Sequence, residues 1–164
     1  DVWYKASSGN LPEADTPAWT EHETGTPSAA VSGGVLTVTA DGGAAESDYW
    51  GYSNAAFTGP CEIEALVKMT SADAGAHKGS CLSIHNGTWQ FVVWLRDDGL
   101  NIDGEADVAV TLSDDYHRVR MVVRDRDCEV YVDGTFIQRG GPANATTATG
   151  VTFGSWTSKD AFAA

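Results

Sequence analysis

The chain has 164 residues, of which 42% are hydrophobic and 20% charged. This composition fits one globular domain with its own core. Ten basic residues stand against 23 acidic ones, giving a net charge of −13. A field of that sign repels polyanions, which argues against nucleic acid, anionic lipid and strongly acidic polysaccharides as partners. No apolar run approaches the roughly 20 residues that a membrane-spanning helix needs.

Alternation of apolar and polar residues, the pattern of half-buried strands, dominates the chain, and no window shows a capped helical period. In chain order the predicted strands are 33–40, 61–69, 81–85, 88–96, the "RDDGLNID" stretch at 96–103, 117–124, 128–134 and 151–156. Loops or irregular edges are predicted for 1–30, 70–79 and 138–149, which are rich in small and polar residues. This pattern predicts an all-β, jelly-roll sandwich of two antiparallel sheets, formed by a single domain over 1–164.

Two turn signals predict how the central strands pair. Asn86-Gly87 is read as a two-residue hairpin loop, and Asp98-Gly99 as a second one, because such pairs supply the positive φ angles of tight turns. In this register Trp94 pairs with Asp103, and Arg96 with Asn101. Side chains then alternate between two faces. The face predicted to enter the core carries Leu82, Ile84, Trp89, Phe91, Val93 and Leu95.

The opposite face is predicted to meet solvent, and it combines an aromatic ring with hydrogen-bonding groups. Sugars need that combination, because their C–H faces stack on aromatic rings and their hydroxyls pair with amide, carboxylate and guanidinium groups. The alternative is that Trp94 packs under a loop and that Arg96 and Asp103 form a surface ion pair of little energetic value. The candidate ligand-binding residues are Trp94, His85, Gln90, Arg96, Asn101 and Asp103, with Tyr49, Trp50, Tyr52 and Trp156 as outside candidates for rim contacts.

A family resemblance rests on "YHRVRMVVRDRDCEVYVDGTFI" and the later "VTFGSW". His117 with alternating apolar residues, Val132-Asp133-Gly134 and Phe153-Gly154 resemble bacterial laminin-G-like domains of the concanavalin A-like lectin/glucanase superfamily. The resemblance covers about 55–164 and implies a two-sheet jelly roll, glycan binding at the concave face or rim loops, and often a structural calcium. The family usually has one more strand after the Phe-Gly segment, so either the chain lacks a closing strand or the sheet closes differently.

The sequence supports a catalytic function less well than it supports ligand binding. The carboxylate-rich strand of superfamily glucanases has its nearest match at Glu62 and Glu64, which lack a third acid and are predicted to lie on a solvated face. Ser83-Ile84-His85 resembles part of a polysaccharide-lyase strand, with Arg96 predicted nearby, but the other lyase motifs are missing. We therefore expect no enzymatic activity.

A metal site and the state of the cysteines stay open. Calcium takes six to eight oxygen ligands, and an acidic stretch offers Asp97, Asp98, Asp103, Glu105 and Asp107, although without EF-hand spacing. The cysteines Cys61, Cys81 and Cys128 form no CxxC pattern, which leaves one disulfide plus a thiol, or three thiols.

A further group is basic. Arg118, Arg120 and Arg124 alternate with apolar residues and are predicted to pair with carboxylates, Glu129 and Asp133 among them.

Three functional hypotheses follow. The first is a non-catalytic, lectin-like, carbohydrate-binding module of a larger secreted or cell-surface protein, with a neutral or weakly charged glycan as its partner. The second is a structural or protein-interaction domain of a surface adhesin or phage fibre. The third is a divergent polysaccharide-cleaving enzyme, a lyase or glycoside hydrolase. The extracellular location is implied by the family resemblance alone.

Overall fold

A computed structural model describes residues 2, 4–39, 47–70 and 79–156, the last of these, Trp156, by its backbone alone. Within these ranges the chain forms strands and two short 3₁₀ turns, Ala6–Ser8 and Pro12–Ala14, but no α-helix. The strands are β1 (Thr20–Thr24), β2 (Ser28–Ser32), β3 (Val35–Thr39), β4 (Ser47–Ser53), β5 (Cys61–Val67), β6 (Gly79–Asn86), β7 (Trp89–Leu95), β8 (Gly99–Ile102), β9 (Val108–Ala109), β10 (His117–Arg124), β11 (Asp127–Val132), β12 (Thr135–Gly140), β13 (Asn144–Ala145) and β14 (Thr149–Trp156).

The strands form two antiparallel sheets and a separate hairpin. The larger sheet has the order β1-β4-β14-β6-β7-β8-β9, with β13 paired to one end of β7. The smaller sheet has the order β12-β11-β10-β5, and β2 pairs only with β3. β14 lies between β4 and β6, so the sheet is built by strands that cross over rather than by a simple meander. The predicted all-β jelly-roll sandwich is confirmed.

The core lies between the two sheets. Ile84, Phe91 and Val93 of the larger sheet share one buried cluster with Val119 and Met121 of the smaller sheet. The predicted core face is confirmed for Leu82, Ile84, Phe91, Val93 and Leu95, which are all buried, whereas Trp89 is half-buried. A guanidinium covers the Trp89 ring, since Arg126 Cζ lies 4.4 Å from its centroid.

The first predicted turn is displaced by one residue along the chain. His85 pairs with Gln90 rather than with Thr88, so the tight loop is Gly87-Thr88. Asn86 ends β6, and its Oδ1 accepts hydrogen bonds from the backbone N–H groups of Thr88 at 3.2 Å and Trp89 at 2.8 Å. Gly87 supplies the positive φ, +83°. The side chain of Asn86 therefore closes the hairpin from outside the loop.

The second predicted turn is displaced in the opposite direction along the chain. Trp94 pairs with Asn101, and the Arg96 N–H donates to the carbonyl of Gly99 at 2.9 Å, so Asp97 and Asp98 form the loop. A Cβ on Gly99 would lie 2.9 Å from the carbonyl oxygen of Val108. A glycine is thus needed at position 99 because β9 packs closely against it, and not because the turn requires a positive φ angle. Both displacements shift the pairing partner by two residues, and an even shift preserves the face of every side chain.

Several predicted loops contain strands. The segment 1–30 holds β1 and most of β2, and the segment 138–149 holds the end of β12, all of β13 and the start of β14. β1 has the sequence "TEHET" and is mostly exposed. An edge strand with polar residues on both sides shows no apolar alternation, which is why the pattern missed it. Of the predicted loop 70–79, residues 71–78 lie outside the described residues.

The described residues contain three free thiols. Cys81 and Cys128 are buried and Cys61 is half-buried. No helix in the described part of the chain has the length and apolarity to span a bilayer.

Candidate functional site

The outward side of the larger sheet, here called the outer face, carries all six candidate residues. Cross-strand registers place Tyr49, Gly154, Cys81, Trp94 and Asn101 in one row across five strands. His85 pairs with Gln90 in a parallel row. The predicted assignment of these side chains to one face, opposite the core, is therefore confirmed by the registers.

The candidates form two groups rather than one. Gln90 lies in β7, and Arg96 directly follows that strand six positions later, which corresponds to about 20 Å along an extended chain. Arg96 is therefore not close to His85, contrary to the prediction, which followed the shared face without the separation along the strand. One group, the Trp94 network, consists of Trp94, Arg96, Asn101 and Asp103. The other, the His85 group, consists of Ser83, His85 and Gln90.

The Trp94 network is buried and internally hydrogen-bonded. Trp94 Nε1 donates to Asp103 Oδ1 at 3.2 Å, and Arg96 Nη1 donates to Asn101 Oδ1 at 3.2 Å. Arg96 Nη2 also lies 2.9 Å from Asp107 Oδ1. The Trp94 side chain is only 1% exposed, and the other three are buried.

The expectation that this face meets solvent is thus wrong for the Trp94 network. Alternation shows which face a side chain occupies, but packing beyond that face comes from residues distant in sequence. An indole that is 1% exposed has no open ring surface for stacking on a sugar. Arg96 forms ion pairs with Asp107 and Asp98, and Asp103 accepts a hydrogen bond from Trp94.

The His85 group is polar, and of its three members only His85 is half-buried, since Ser83 and Gln90 are buried. Ser83 Oγ lies 3.2 Å from His85 Nε2. Burial lowers the pKa of His85 to about 4, because the charged imidazolium is disfavoured away from water. At neutral pH the ring is therefore uncharged. It can donate one hydrogen bond and accept another.

Two buried polar atoms on the outer face have no hydrogen-bond partner in the described part of the chain. They are Gln90 Nε2 and Thr152 Oγ1. Gln90 is 4% exposed, and its other amide atom, Oε1, only accepts from Asn144 Nδ2 at 3.4 Å. Buried polar groups are normally paired, because leaving one unpaired costs about 1–3 kcal/mol. Both atoms are closed off from solvent, so a ligand can pair with them only when a neighbouring side chain moves aside.

Two glycines lie on the outer face next to these atoms, and the strip of the sheet around them is here called the trough. Thr152 pairs with Gly51 on β4 and with Ser83 on β6. Gly150 pairs with His85. Gly51 has no side chain and is half-buried, whereas Gly150 is buried and packs against the backbone of Tyr52. A Cβ on Gly51 would lie 3.4 Å from Thr152 Cγ2, so a larger residue would fill part of the floor.

The trough has aromatic and polar walls. On the β1 side, the His22 and Tyr49 rings stack with centroids 4.8 Å apart and planes 13° from parallel. On the other side stand His85 and Gln90. His22, Gly51, Thr152 and His85 are half-buried, so solvent reaches this part of the face.

Sequence reasoning missed Thr152 and His22. Thr152 follows Val151 in a strand that was predicted, so its outward direction was available from alternation. His22 lies on the polar edge strand β1, which has no alternation of apolar and polar residues and was therefore not predicted as a strand.

The outside candidates for rim contacts do not lie in a loop. Tyr49, Trp50 and Tyr52 belong to β4. Trp50 is in the core and its Nε1 donates to Glu13 Oε2 at 2.8 Å. Tyr52 packs near Trp19, with ring centroids 5.5 Å apart. Only Tyr49 contributes to the outer face. The side chain of Trp156 lies outside the described residues.

The candidate catalytic carboxylates lie on the other sheet. Glu62 and Glu64 are exposed on β5, on the solvated side as predicted. Arg120 Nη2 lies 2.7 Å from Glu62 Oε2, and Arg118 Nη1 lies 3.4 Å from Glu64 Oε1. This side of the sandwich is opposite the outer face that carries His85.

Two residues of the acidic stretch suggested as a calcium site form ion pairs with an arginine. Asp107 lies 2.9 Å from Arg96, and Asp98 lies 3.9 Å from it. Among the residues that the structure describes, no group of three or more His, Cys, Asp or Glu side chains has the arrangement of metal ligands.

The comparisons with known proteins give distant structural likenesses. No family model matches the sequence, and no curated protein matches it. The Emp47p carbohydrate recognition domain is 13% identical with a TM-score of 0.45, over 85% of this chain and 80% of that one. A Bacillus licheniformis β-glucanase is 12% identical with a TM-score of 0.42, over 87% and 67%. A sialidase is 13% identical with a TM-score of 0.38, over 68% of this chain, and the match spans only 12% of the sialidase.

Proposed function

We propose that the protein is a non-catalytic carbohydrate-binding module that holds its ligand in the glycine-floored trough of the outer face. The observation that carries the proposal is the pair of buried, unpartnered polar atoms, Gln90 Nε2 and Thr152 Oγ1, beside that trough. A donor and a hydroxyl that the protein leaves unpaired are suited to the hydroxyl groups of a sugar.

The walls of the trough support the same ligand class. The stacked His22–Tyr49 pair offers an aromatic edge, and the neutral His85 ring adds a group that donates and accepts. A net charge of −13 disfavours polyanions at any surface site. A neutral glycan fits these properties better than a sulfated or uronate-rich one.

The two groups of candidate residues have different roles in this proposal. Half-buried His85 contacts the ligand directly, and Gln90 and Thr152 contact it once the side chains that cover their buried atoms move aside. The Trp94 network holds β7 and β8 in place, because its side chains are buried and bonded to one another. Trp94, Arg96, Asn101 and Asp103 are then positioning residues rather than contacts. This assignment replaces the stacking role that the sequence suggested for Trp94.

The proposed absence of catalysis has its own support. Glu62 and Glu64 are bound to arginines on the opposite side of the sandwich, and Arg96 lies far along the strand from His85. We further propose that the module belongs to a larger secreted or cell-surface protein, where binding a glycan localises the remainder of the chain.

The decisive experiment compares near-isosteric variants on a glycan array, with and without calcium. Thr152→Val removes one unpartnered atom and should abolish binding while leaving the melting temperature unchanged or raised. Gln90→Leu removes the other and should also abolish binding, with a small loss of stability because the long hydrogen bond from Asn144 goes with it. Their matched controls are Thr146→Val and Gln138→Leu. Thr146 Oγ1 accepts from the Ala148 N–H, and Gln138 bonds the Ile102 N–H and the Ala106 carbonyl. The controls should lose stability but keep binding.

The outcomes separate the three functional hypotheses. Binding by the wild type that Thr152→Val and Gln90→Leu both erase supports the trough. Binding that survives both variants places the glycan elsewhere and contradicts the proposal. Release of products from a polysaccharide panel, lost in His85→Ala, would make the protein an enzyme. Silence on a broad array with a well-folded wild type would favour the structural hypothesis.

A further inference from the structure

The outward side of the smaller sheet, here called the back face, differs from the remainder of the surface in its charge. Every ionic side chain that the structure places on its strands is matched by an opposite one across the strands: Arg120 with Glu62, Arg118 with Glu64, Arg124 with Glu129, and Arg139 with Asp127. Four cations and four anions leave this face neutral. The net charge of −13 is therefore carried by the remainder of the chain.

The back face also carries the exposed apolar side chains. Leu66 on β5 is 67% exposed, Phe136 on β12 is 53% exposed, and Tyr116 stands just before β10. These are the large hydrophobic residues that are exposed in the described part of the chain. Exposed apolar groups gathered on one face, among groups of both charges, are typical of a surface that contacts another protein.

An aromatic and guanidinium group crosses the back face from the edge strand β12 to β10. Tyr131 and Phe136 meet edge to face with centroids 5.7 Å apart. Arg120 Cζ lies 5.8 Å from the centroid of the Tyr131 ring. Tyr, Phe and Arg are the residue types most enriched at the centres of protein interfaces.

We infer that the back face is the contact surface of a homodimer formed with a second copy of this chain. A two-fold axis brings the same surface together twice, so the surface must complement itself. A face with equal numbers of positive and negative groups meets that condition, whereas the excess negative charge of the chain lies outside this face and favours repulsion there. A second copy is thus the partner that the charge distribution fits best.

The size of the face sets the expected affinity. Four strands about 4.8 Å apart and about seven residues long cover roughly 440 Å² as a flat area. The accessible area is larger because side chains project from it, but it stays near or below the roughly 800 Å² per partner of a standard interface. A weak dimer, forming at micromolar to millimolar concentration of the chain, is expected.

Sedimentation equilibrium of the full chain over that concentration range tests the inference. Phe136→Asp and Leu66→Asp each place a negative charge on the back face, and each should weaken dimerisation at least about tenfold. Both positions are exposed, so the fold should tolerate them. Ala109→Asp adds the same charge at an exposed position of the larger sheet and is the matched control.

Each outcome decides the matter. A wild-type dimer that both back-face variants dissociate and that Ala109→Asp leaves intact supports the inference. A wild type that stays monomeric up to millimolar concentration overturns it, and leaves the back face for a different protein. A dimer insensitive to Phe136→Asp and Leu66→Asp, or equally weakened by Ala109→Asp, overturns it as well. Near-ultraviolet circular dichroism of each variant verifies that it is folded.

Discussion

His117 connects two acidic residues at the end of the smaller sheet, and its principal partner is Asp133. His117 Nδ1 lies 2.7 Å from Asp133 Oδ2, while Nε2 lies 2.8 Å from Asp114 Oδ1. Asp133 Oδ1 also accepts from the Arg118 N–H at 2.8 Å. The His and the Asp of the motif that carried the family resemblance thus bind each other. Asp133 adopts a φ of +50°, and Gly134 follows it in the turn between β11 and β12.

The first prediction is a pH-dependent loss of stability in His117→Asn. Hydrogen bonds to Asp133 and Asp114 raise the pKa of His117 above 6.5, so its contribution is complete below pH 6.5 and is lost as pH rises through the raised value. The pKa values of Asp133 and Asp114 are lowered from 3.8, so their contributions are lost as pH falls through those lower values.

The variant should therefore melt furthest below the wild type between pH 3.8 and 6.5. Thermal unfolding at a series of pH values measures this difference. Asp114→Asn keeps the contact between His117 and Asp133, so its melting temperature should fall less than that of His117→Asn. A difference in melting temperature that is the same at about pH 5 and about pH 9 would contradict the proposed ion pairs.

The second prediction concerns Asp48, which is 2% exposed and whose Oδ1 has no hydrogen-bond partner in the described part of the chain. Burial, with Glu21, Glu23 and Glu13 nearby, raises its pKa to about 6. Ionisation is therefore harder in the folded protein than in the unfolded chain. This group favours the folded state most below pH 3.8, and that advantage is lost as pH rises through about 6.

Asp48→Asn should accordingly stabilise the protein by about 1–3 kcal/mol near pH 8. The gain should be much smaller at about pH 4, because the carboxyl of the wild type is then largely protonated in the fold. Urea unfolding at the two pH values measures it. An equal effect at both pH values would show that ionisation of Asp48 is not the cause.

The third prediction is that Gly154→Ala unfolds or severely destabilises the protein. Gly154 has a φ of +143°, and a Cβ there would lie 2.5 Å from the carbonyl oxygen of Asp48 and from Tyr49 Cα. Backbone strain and the clash with β4 together should cost about 3 kcal/mol or more. Gly141→Ala is the control, since its Cβ would meet nothing within 4 Å. Equal melting temperatures for the two variants would argue against the observed packing of β14 on β4.

The fourth prediction concerns the thiols. Burial raises the pKa of Cys81, and that of Cys128 to about 12. Because the thiolate is the reactive form, both should resist a thiol reagent in the native state, and half-buried Cys61 should react first. Denaturation without reductant should release all three thiols. A titre of one thiol would show that a disulfide forms in solution.

The sequence predicted the faces of the central strands better than their surroundings. Alternation along 81–96 separated Ile84 and Phe91 from His85 and Trp94, and the even shift of both hairpins left that separation intact. The shifts themselves were missed because Asn86 closes its turn through a side-chain oxygen and Gly99 serves a close approach. The burial of Trp94 was missed because alternation carries no information about what packs outside a sheet.

The candidate site was predicted in part for the same reason. His85 and Gln90 were placed on the right face from local pattern. Thr152 and His22 reach the trough only through the pairing of β14 with β6 and of β1 with β4. Those pairings join strands far apart in the chain, and no local turn signal connects them.

The position of β14 between β4 and β6 has a consequence for how the protein is made. Val151 pairs with both Tyr52 and Ile84. The strands β4 and β6 therefore cannot complete their pairing until β14, which is synthesised much later, is available. Until then, β4 and β6 present unpaired edges that could join wrong partners. The larger sheet therefore cannot form progressively as the chain leaves the ribosome. We expect slow folding, in the millisecond to second range of proteins dominated by distant strand pairings.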